Sequence, residues 1–258
     1  MESLKFQTNQ DFELILIDQN GHHLIEALVN EFKGSMALQY YRQDELNSSK
    51  ARNFGAKFAK YYWLGFPDDD CWYPNDFVEK FLNKTNNQFD GIFINWSDPA
   101  SQPPKIRFEF QEGLMIKKEA FSLVSCICLF IKKSSFHEIG GFNENLGLGS
   151  TPVIKAGEEQ ELTLRFLQRN AHIYKYPLLK VHHALNEREW DDAFRDRIIS
   201  QGACDFLFAK KFNSPVFAYG LVLKWLAGIA YNTLRARKQN ICWYYLKLKG
   251  AFSAPADI

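Results

Sequence analysis

The chain has 258 residues, of which 46% are hydrophobic, so it can bury a large core as one α/β domain or as a domain with a smaller lobe. Its formal net charge of +1 gives no global field for binding nucleic acid, and we expect no nucleic-acid partner. The five cysteines are odd in number and lack CxxC spacing, which predicts neither a disulfide framework nor a zinc site and indicates a reducing cytosol.

Strands and helices alternate through the first 97 residues. The opening residues Met1–Lys5 lack the apolar region of a signal peptide. Apolar runs predict strands, and apolar residues at helical spacing behind a polar cap predict helices. The predicted strands are residues 12–18, 37–41, 60–66 and 91–95, and the predicted helices are residues 24–32, a segment starting at 48 or 49, and 74–82. This alternation predicts a doubly wound parallel sheet.

Three adjacent carboxylates, Asp68, Asp69 and Asp70, follow the strand predicted at residues 60–66. Ligands of open α/β sheets bind at the carboxyl ends of the strands. Because Asp68 and Asp70 are two residues apart, both can reach one hard divalent cation, whereas Asp69 points elsewhere. The alternative is a solvated acidic turn that caps the helix beginning at Pro74.

The pattern changes after Ser97. Prolines mark a long connection, and further strand-like runs end at residues 126–131. A glycine-rich loop follows at residues 140–150, without the spacing of a dinucleotide fingerprint or a P-loop. Glu158 and Glu159 then open a helix, although acids in a first turn also favour the helix dipole without any catalytic role.

Two later strands, near residues 172–174 and 178–181, lead to His182 and His183. A neutral imidazole can complete a Mn²⁺ or Mg²⁺ shell, although oxygen ligands suit these ions better. A lone histidine at a strand end is more often structural, so both interpretations stay open.

Residues 186–258 are predicted to form a helical C-terminal extension. Residues 215–231 are apolar with a single charge, Lys224. Three basic residues follow closely, Arg235, Arg237 and Lys238. Such a segment is better suited to lying in a membrane interface than to crossing a bilayer of about 30 Å. The alternative is packing on its own domain or on a partner subunit.

These elements, in this order, resemble a family 2 glycosyltransferase with the GT-A fold. The resemblance runs from about Ser3 to His183 and includes a late histidine. Its motifs are Ile17-Asp18-Gln19-Asn20, Ser49-Lys50-Ala51-Arg52-Asn53-Phe54-Gly55, Phe66-Pro67-Asp68-Asp69-Asp70-Cys71-Trp72-Tyr73-Pro74, Ile139-Gly140-Gly141-Phe142-Asn143-Glu144 and Gly157-Glu158-Glu159. It implies a GT-A-like α/β fold, with a doubly wound, mostly parallel mixed sheet and helices on both faces.

The same resemblance implies the domain boundaries and the donor site. Residues 1–185 are expected to form the GT-A-like domain, with a nucleotide-binding part at 1–97 and an acceptor-side part at 98–185, before the helical extension at 186–258. Asp18 matches the residue that contacts the nucleotide base or ribose, with a turn cap as the alternative. Arg52 and Asn53 match the motif that shapes the nucleotide side of the pocket, although Arg52 equally suits a solvated helix face. Asp68 and Asp69 are expected to contact the nucleotide sugar.

The metal ligands implied by the resemblance are Asp68, Asp70 and His182, with His183 as the alternative to His182. The implied ion is Mn²⁺ or Mg²⁺, which neutralises the negative charge that develops on the leaving diphosphate. Metal dependence is therefore an expectation for this chain.

Glu159 matches the position of the general base, where the family usually has aspartate, and Glu158 is the rival candidate. The implied reaction moves a sugar from a nucleotide-sugar donor to a hydroxyl of a glycan or lipid-linked glycan, with inversion at the anomeric carbon. We expect a role in cell-surface polysaccharide synthesis and a cytoplasmic location. If residues 215–238 contact lipid, the protein is peripheral on the inner face of the plasma membrane.

The first strand that is usual in the family has no counterpart here. Residues 1–8 match the end of the following helix, so we expect either a start downstream of the true one or a truncated copy. A non-catalytic protein that binds a glycan or another transferase is therefore the alternative function. A nucleotidyltransferase is disfavoured, because the N-terminal region contains no glycine-rich basic loop for phosphate.

Overall fold

The computed structural model describes residues 1–85, 87–150, 154–184 and 189–255, without the side chain of Leu24. The chain divides into two compact units. The first contains residues 1–46, 50–141 and 162–186, and the second contains residues 47–49, 142–161 and 187–258. The second unit thus includes residues 142–161, which the expected boundary at residue 185 places in the first domain.

Two parallel strands form a small sheet in the first unit. β1 (Leu14–Asp18) pairs with β2 (Leu38–Arg42), and α1 (Glu2–Lys5) precedes them while α2 (Leu24–Phe32) connects them. α3 (Ser48–Ala56) approaches β1 closely, because a Cβ at Gly55 would lie 3.3 Å from Ile17 Cγ1. α1 is thus a short helix within residues 1–8.

Seven further strands form the main sheet of the first unit. Its central path is β3 (Trp63–Gly65), β8 (Leu129–Lys132), β5 (Gly91–Asp98), β9 (Ile173–His183) and β4 (Cys71–Trp72). β6 (Lys105–Ile106) pairs with β5, and β7 (Gly113–Leu114) pairs with β9. β5 is buried along its whole length, as is typical of a strand covered on both faces.

The strand pairing is mixed, as predicted. β5 and β9 are parallel, whereas β3–β8, β5–β8, β4–β9, β5–β6 and β7–β9 are antiparallel. Antiparallel pairs therefore outnumber parallel pairs among the described strands, although a mostly parallel sheet is expected from the sequence. Four of these five antiparallel pairs include β6, β7 or β8, which all lie after residue 97.

One long strand, β9, takes the place of the two strands predicted near residues 172–174 and 178–181. Its register against β5 shifts between Ile94 and Asn95. Pro177 lies in this irregular stretch, and proline has no N–H to donate to a neighbouring strand. The gap between the two predicted strands thus coincides with the interrupted pairing of β9 with β5, although β9 itself continues through it.

Short helices cover the main sheet and link its strands. α4 (Phe77–Leu82) packs on β8, with the rings of Phe77 and Phe81 centred 5.7 Å and 4.6 Å from that of Phe130. Residues 126–131, predicted as one strand, begin with a 3₁₀ turn at Cys126–Cys128 before β8 starts. The other helical segments are a 3₁₀ turn at Glu119–Phe121, α5 (Lys133–Glu138) and α6 (Glu158–Gln168).

Three long helices form most of the second unit, as the predicted helical extension requires. They are α7 (Asp192–Phe208), which continues as a π-helical turn at Ala209–Asn213, α8 (Pro215–Leu234) and α9 (Lys238–Phe252). The Ser214 side chain caps α8 by accepting the Phe217 N–H, and Pro215 occupies its first turn. In the parts of the chain that the structure describes, no helix is both long enough and apolar enough to cross a membrane.

α7 and α9 pack closely because each contributes a glycine to their contact. A Cβ at Gly202 would overlap the carbonyl oxygen of Lys247, and a Cβ at Gly250 would overlap that of Ile199. Next to this crossing, Lys247 Nζ lies 2.7 Å from Asp205 Oδ2 in a largely buried ion pair.

The beginning of α6 packs on the same helices. Gln160 Nε2 donates to Asp205 Oδ1 at 3.3 Å. Gly157 has a φ of +88°, and a Cβ there would approach the Cys204 side chain. These contacts connect the beginning of α6 to α7 within the second unit.

Candidate functional site

The acidic motif lies between β3 and the two-residue strand β4. β4 is antiparallel to the end of β9, so Cys71 stands directly opposite His183 and Trp72 stands opposite His182. Directly opposed residues of neighbouring strands project from the same face of a sheet. The strand register therefore brings Cys71 and His183 together, next to Asp70.

Asp70, Cys71 and His183 form a cluster of potential metal ligands. His183 Nε2 lies 3.2 Å from Asp70 Oδ2. Cys71 Sγ lies 3.9 Å from Asp70 Oδ1. The ligand atoms of the three side chains all lie within 4.8 Å of one another. A carboxylate, a thiol and an imidazole can therefore reach one cation.

The surroundings of His183 leave its ring able to bind a cation. The side chain is 20% exposed, and its ring meets that of Trp96 edge-on at a centroid distance of 4.8 Å. Nδ1 is buried and has no hydrogen-bond partner among the described residues. Since no other described residue accepts from or donates to it, Nδ1 can carry the ring proton and leave the Nε2 lone pair for a cation.

His182, the metal ligand implied by the resemblance, occupies a different environment. Its Nδ1 lies 3.2 Å from Ser97 Oγ, and its ring centroid lies 5.7 Å from that of Trp72. Burial lowers the pKa of His182 below its ordinary value, so the ring is neutral at pH 7. Because successive residues of a strand point to opposite faces, the structure brings His183 rather than His182 to Asp70.

Asp68, the first acid of the motif, forms an ion pair with Arg52 of α3. Arg52 Nη2 lies 3.2 Å from Asp68 Oδ1, with the arginine side chain 18% exposed and the aspartate 48% exposed. Two residues that the resemblance assigns to the donor site are thus brought together. Asp69, between the two outer acids, is exposed.

The acids also act on the neighbouring thiol. Burial, reinforced by the negative charges of Asp68, Asp70 and Asp69, raises the pKa of Cys71 to about 12. In the absence of a cation, this thiol therefore keeps its proton at neutral pH.

Asp18 is engaged within the protein on both of its oxygens. Oδ1 accepts from the backbone N–H of Asn20 at 2.9 Å and from Asn20 Nδ2 at 2.7 Å, while Oδ2 accepts from the Tyr40 hydroxyl at 2.8 Å. Burial alone would raise the pKa of Asp18, but these hydrogen bonds and the charge of Arg42 outweigh it and lower the pKa. The geometry matches the turn cap that was the alternative to a nucleotide contact.

Asn53 lies against the turn between α5 and the glycine-rich loop. Gly141 has a φ of +71°, and a Cβ there would lie 2.5 Å from Asn53 Oδ1. Arg165 of α6 donates to the carbonyl oxygens of Ile139 at 2.7 Å and Gly141 at 2.6 Å. This turn of the first unit is therefore held tightly beside Asn53.

The two candidate general bases begin α6 in the second unit, whereas the acidic motif belongs to the first. Glu158 is buried beneath the turn at Gly147, where a Cβ would lie 3.0 Å from the Glu158 carboxyl carbon. Glu159 is only partly buried. Of the two carboxylates, that of Glu159 is the more accessible.

The sequence patterns predict Asp68 and Asp70, but not Cys71, as metal ligands. The resemblance also ranks His183 below His182. The missing signal is the register of β4 against β9, a pairing between residues far apart in the chain. The cross-strand position of a two-residue strand cannot be read from local periodicity.

Residues 1–140 match the family described as "Glycosyl transferase family 2". A relative from Rickettsia felis, described as an uncharacterized glycosyltransferase, is 29% identical over 89 residues, which are 33% of this chain and 15% of the relative. The chain thus spans a small part of the length of this curated relative.

Two solved structures share the fold. A structure of S. aureus TarS 1–349 in complex with UDP-GlcNAc has a TM-score of 0.61 and 14% identity, and the match covers 97% of this chain and 86% of that one. The mannosyltransferase PcManGT from Pyrobaculum calidifontis, in complex with GDP-Man and Mn²⁺, has a TM-score of 0.67 and 12% identity, with 97% and 80% coverage.

Proposed function

Because the chain belongs to glycosyl transferase family 2, we propose that it moves a sugar from a nucleotide-sugar donor to a hydroxyl of a glycan or lipid-linked glycan. The observation that carries this proposal is the grouping of Asp70 with His183 at the end of the main sheet, beside the Arg52–Asp68 pair. The donors named for the structural neighbours, UDP-GlcNAc and GDP-Man, support a nucleotide sugar as the substrate class.

The residues of this site fit a divalent cation. Asp70 supplies carboxylate oxygen and His183 supplies imidazole nitrogen within 3.2 Å of each other, and both groups are ordinary ligands of Mn²⁺. Asp68, two residues before Asp70, provides a further carboxylate that is half exposed. When bound, Mn²⁺ or Mg²⁺ would supply positive charge that neutralises the departing diphosphate. The Mn²⁺ named with PcManGT supports this assignment.

Arg52 has two roles in the proposed site. Its guanidinium orients Asp68 through the ion pair at 3.2 Å. Because a planar guanidinium matches the geometry of phosphate oxygens, we expect Arg52 also to contact a phosphate of the donor. Asn53, on the same helix, is proposed to shape the nucleotide side of the pocket.

Glu159 is the proposed general base, since its carboxylate is more accessible than that of the buried Glu158. It would take the proton of the attacking acceptor hydroxyl. Attack opposite the leaving diphosphate gives inversion at the anomeric carbon. We further propose a cytoplasmic location and a role in cell-surface polysaccharide synthesis.

One face of α8 supports a peripheral membrane contact. Val222 and Trp225 point into the core of the second unit, while large apolar side chains on another face are exposed at helical spacing. These are Val216, Tyr219, Leu223, Leu226 and Leu234. The basic residues Arg235, Arg237 and Lys238 follow and are exposed. An exposed apolar helix face flanked by basic residues is typical of binding to the surface of an anionic bilayer, where a lipid-linked acceptor resides.

The experiment for this function is release of nucleoside diphosphate from a panel of nucleotide sugars, with Mn²⁺ and candidate glycan acceptors. We expect turnover with one class of donor and a loss on the order of 100-fold in Asp70→Ala. Asp76→Ala is the matched control, because Asp76 is a partly exposed aspartate close by in the chain that pairs with Lys80. Equal activity in wild type and Asp70→Ala would overturn the role proposed for Asp70, and absence of turnover by the folded wild-type chain with every donor would overturn sugar transfer.

A further inference from the structure

The candidate metal cluster contains a sulfur atom. Carboxylate oxygens are hard ligands that suit Mg²⁺ and Mn²⁺, whereas thiolate sulfur is a soft ligand that favours Zn²⁺. Cys71 follows Asp70 in the chain and opposes His183 across the β4–β9 pair. The three side chains therefore offer one oxygen, one sulfur and one nitrogen, which are the three ligand types of protein zinc sites.

The separations suit an ion of this size. Bonds of about 2.0 to 2.3 Å place neighbouring ligand atoms of tetrahedral zinc roughly 3.5 Å apart. The two separations from Asp70 bracket this value, with 3.2 Å from His183 Nε2 to Asp70 Oδ2 and 3.9 Å from Cys71 Sγ to Asp70 Oδ1. No two of the ligand atoms are more than 4.8 Å apart. The Asp70 side chain is 60% exposed and can rotate to adjust its distances to the other two ligands.

The three ligands differ in exposure. Cys71 and His183 are partly buried, whereas Asp70 is exposed. Two ligands of the cluster are thus held by the sheet, and the third is accessible to solvent. Three protein ligands with one open position are typical of catalytic zinc sites, whereas structural zinc sites have four.

We propose that Cys71 coordinates as a thiolate, so that this site takes Zn²⁺ in preference to Mg²⁺ or Mn²⁺ and Zn²⁺ competes with the harder ion. The Cys71 thiol releases its proton to solvent as the sulfur–metal bond forms. This inference rests on the metal site of the proposed function, but it does not depend on sugar transfer. Sequence spacing gives no sign of such a site, because two of its ligands meet only across strands.

The first test is titration of the purified chain with Co²⁺, whose bond to thiolate produces an intense near-ultraviolet charge-transfer absorption. We expect a saturable band at one equivalent that is lost in Cys71→Ser and in His183→Ala. Cys242→Ser is the matched control, since Cys242 is also a partly buried free cysteine but lies in α9 of the second unit. Circular dichroism establishes that each variant is folded.

The second test measures displacement of bound Mn²⁺ by Zn²⁺. The released Mn²⁺ is detected by electron paramagnetic resonance. Removing a group that hydrogen-bonds to a metal ligand lowers metal affinity about 10- to 100-fold. Cys71→Ser removes a direct ligand, so Zn²⁺ affinity should fall at least about tenfold. Mn²⁺ affinity should hardly change, because Mn²⁺ prefers the oxygen ligands.

The outcomes separate the inference from the proposed function. If Mn²⁺ binds but Co²⁺ gives no thiolate band, or if the band survives in Cys71→Ser, the inference is overturned and the metal-dependent function stands. If neither ion binds the folded chain, both are overturned.

Discussion

Asp70 Oδ2 lies 3.2 Å from His183 Nε2, although the two residues are distant in the chain. They meet because β4 follows the acidic motif directly and is antiparallel to the last residues of β9. A cation site at this position therefore depends on one strand pairing as much as on the acids themselves.

The first prediction distinguishes the two adjacent histidines. His183→Ala is expected to weaken Mn²⁺ binding by about 10- to 100-fold, because it removes the imidazole beside Asp70. His182→Ala should leave Mn²⁺ affinity nearly unchanged, since that ring faces Ser97. Electron paramagnetic resonance of Mn²⁺ measures both affinities. A larger loss in His182→Ala than in His183→Ala would make His182 the ligand.

The second prediction concerns the Arg52–Asp68 pair. Arg52→Ala should weaken binding of a nucleoside diphosphate roughly 10- to 150-fold, because a charge-assisted hydrogen bond contributes about 1.5 to 3 kcal/mol. The free energy of unfolding should fall by no more than about 1 kcal/mol, since the pair is partly exposed.

Lys50→Ala is the matched control for Arg52→Ala. Lys50 is a basic residue of the same helix whose side chain pairs with Glu45. Calorimetry gives the nucleotide affinity and thermal unfolding gives the stability. An equal loss of affinity in both variants would indicate a general effect of positive charge rather than a role for Arg52.

The third prediction concerns pH and the Tyr40–Asp18 hydrogen bond. Burial, followed by the hydrogen bond to Asp18, raises the pKa of Tyr40 from 10.0 to about 12. Between these values the unfolded chain has released the tyrosine proton and the folded protein has kept it. The contribution of Tyr40 to stability is thus complete below pH 10 and is lost as the pH rises towards 12.

Tyr40→Phe tests this dependence. The difference in free energy of unfolding between wild type and variant should shrink as the pH rises above 10, measured by urea denaturation at each pH. A difference that stays constant, or grows, between pH 10 and the highest pH at which both proteins fold would contradict the assignment.

The fourth prediction concerns the crossing of α7 and α9. Gly250→Ala should lower the free energy of unfolding by about 1 to 3 kcal/mol, because the added Cβ would overlap the carbonyl oxygen of Ile199. Gly220→Ala in α8 has nothing within 4 Å of the added Cβ, so it should stabilise by about 0.5 to 1 kcal/mol. Urea denaturation measures both, and a neutral Gly250→Ala would disprove the close crossing.

The fifth prediction concerns the exposed face of α8. Replacing Leu223 and Leu226 together by serine should reduce co-sedimentation with vesicles that contain anionic lipid, while leaving stability nearly unchanged because both side chains are exposed. Leu178→Ser is the control, since Leu178 is 86% exposed on the first unit. If the wild-type protein does not co-sediment with anionic vesicles, the membrane proposal is wrong.

The fold could be predicted from the sequence where the signal lies in consecutive residues. β1, β2, α2 and α4 lie close to their predicted positions, because a run of apolar residues or a polar cap is a local feature. The prediction of parallel pairing was less successful, because strand direction depends on how each connection returns to the sheet.

The candidate site could be predicted only in part, for the same reason. Asp68 and Asp70 were recognisable from their place after an apolar strand. The choice between His182 and His183 depends on which face of β9 meets β4, and a shift of one residue would exchange them. Asp18 matched the family motif, yet its hydrogen bonds to Asn20 and Tyr40 appear only in the folded protein.

The most direct test of the account is calorimetric titration of the chain with a panel of nucleoside diphosphates, with and without Mn²⁺, in wild type and Asp70→Ala. The account predicts that one class of nucleoside diphosphate binds only when both Mn²⁺ and Asp70 are present. Absence of binding by the folded wild-type chain, or binding that needs neither the metal nor Asp70, would contradict it.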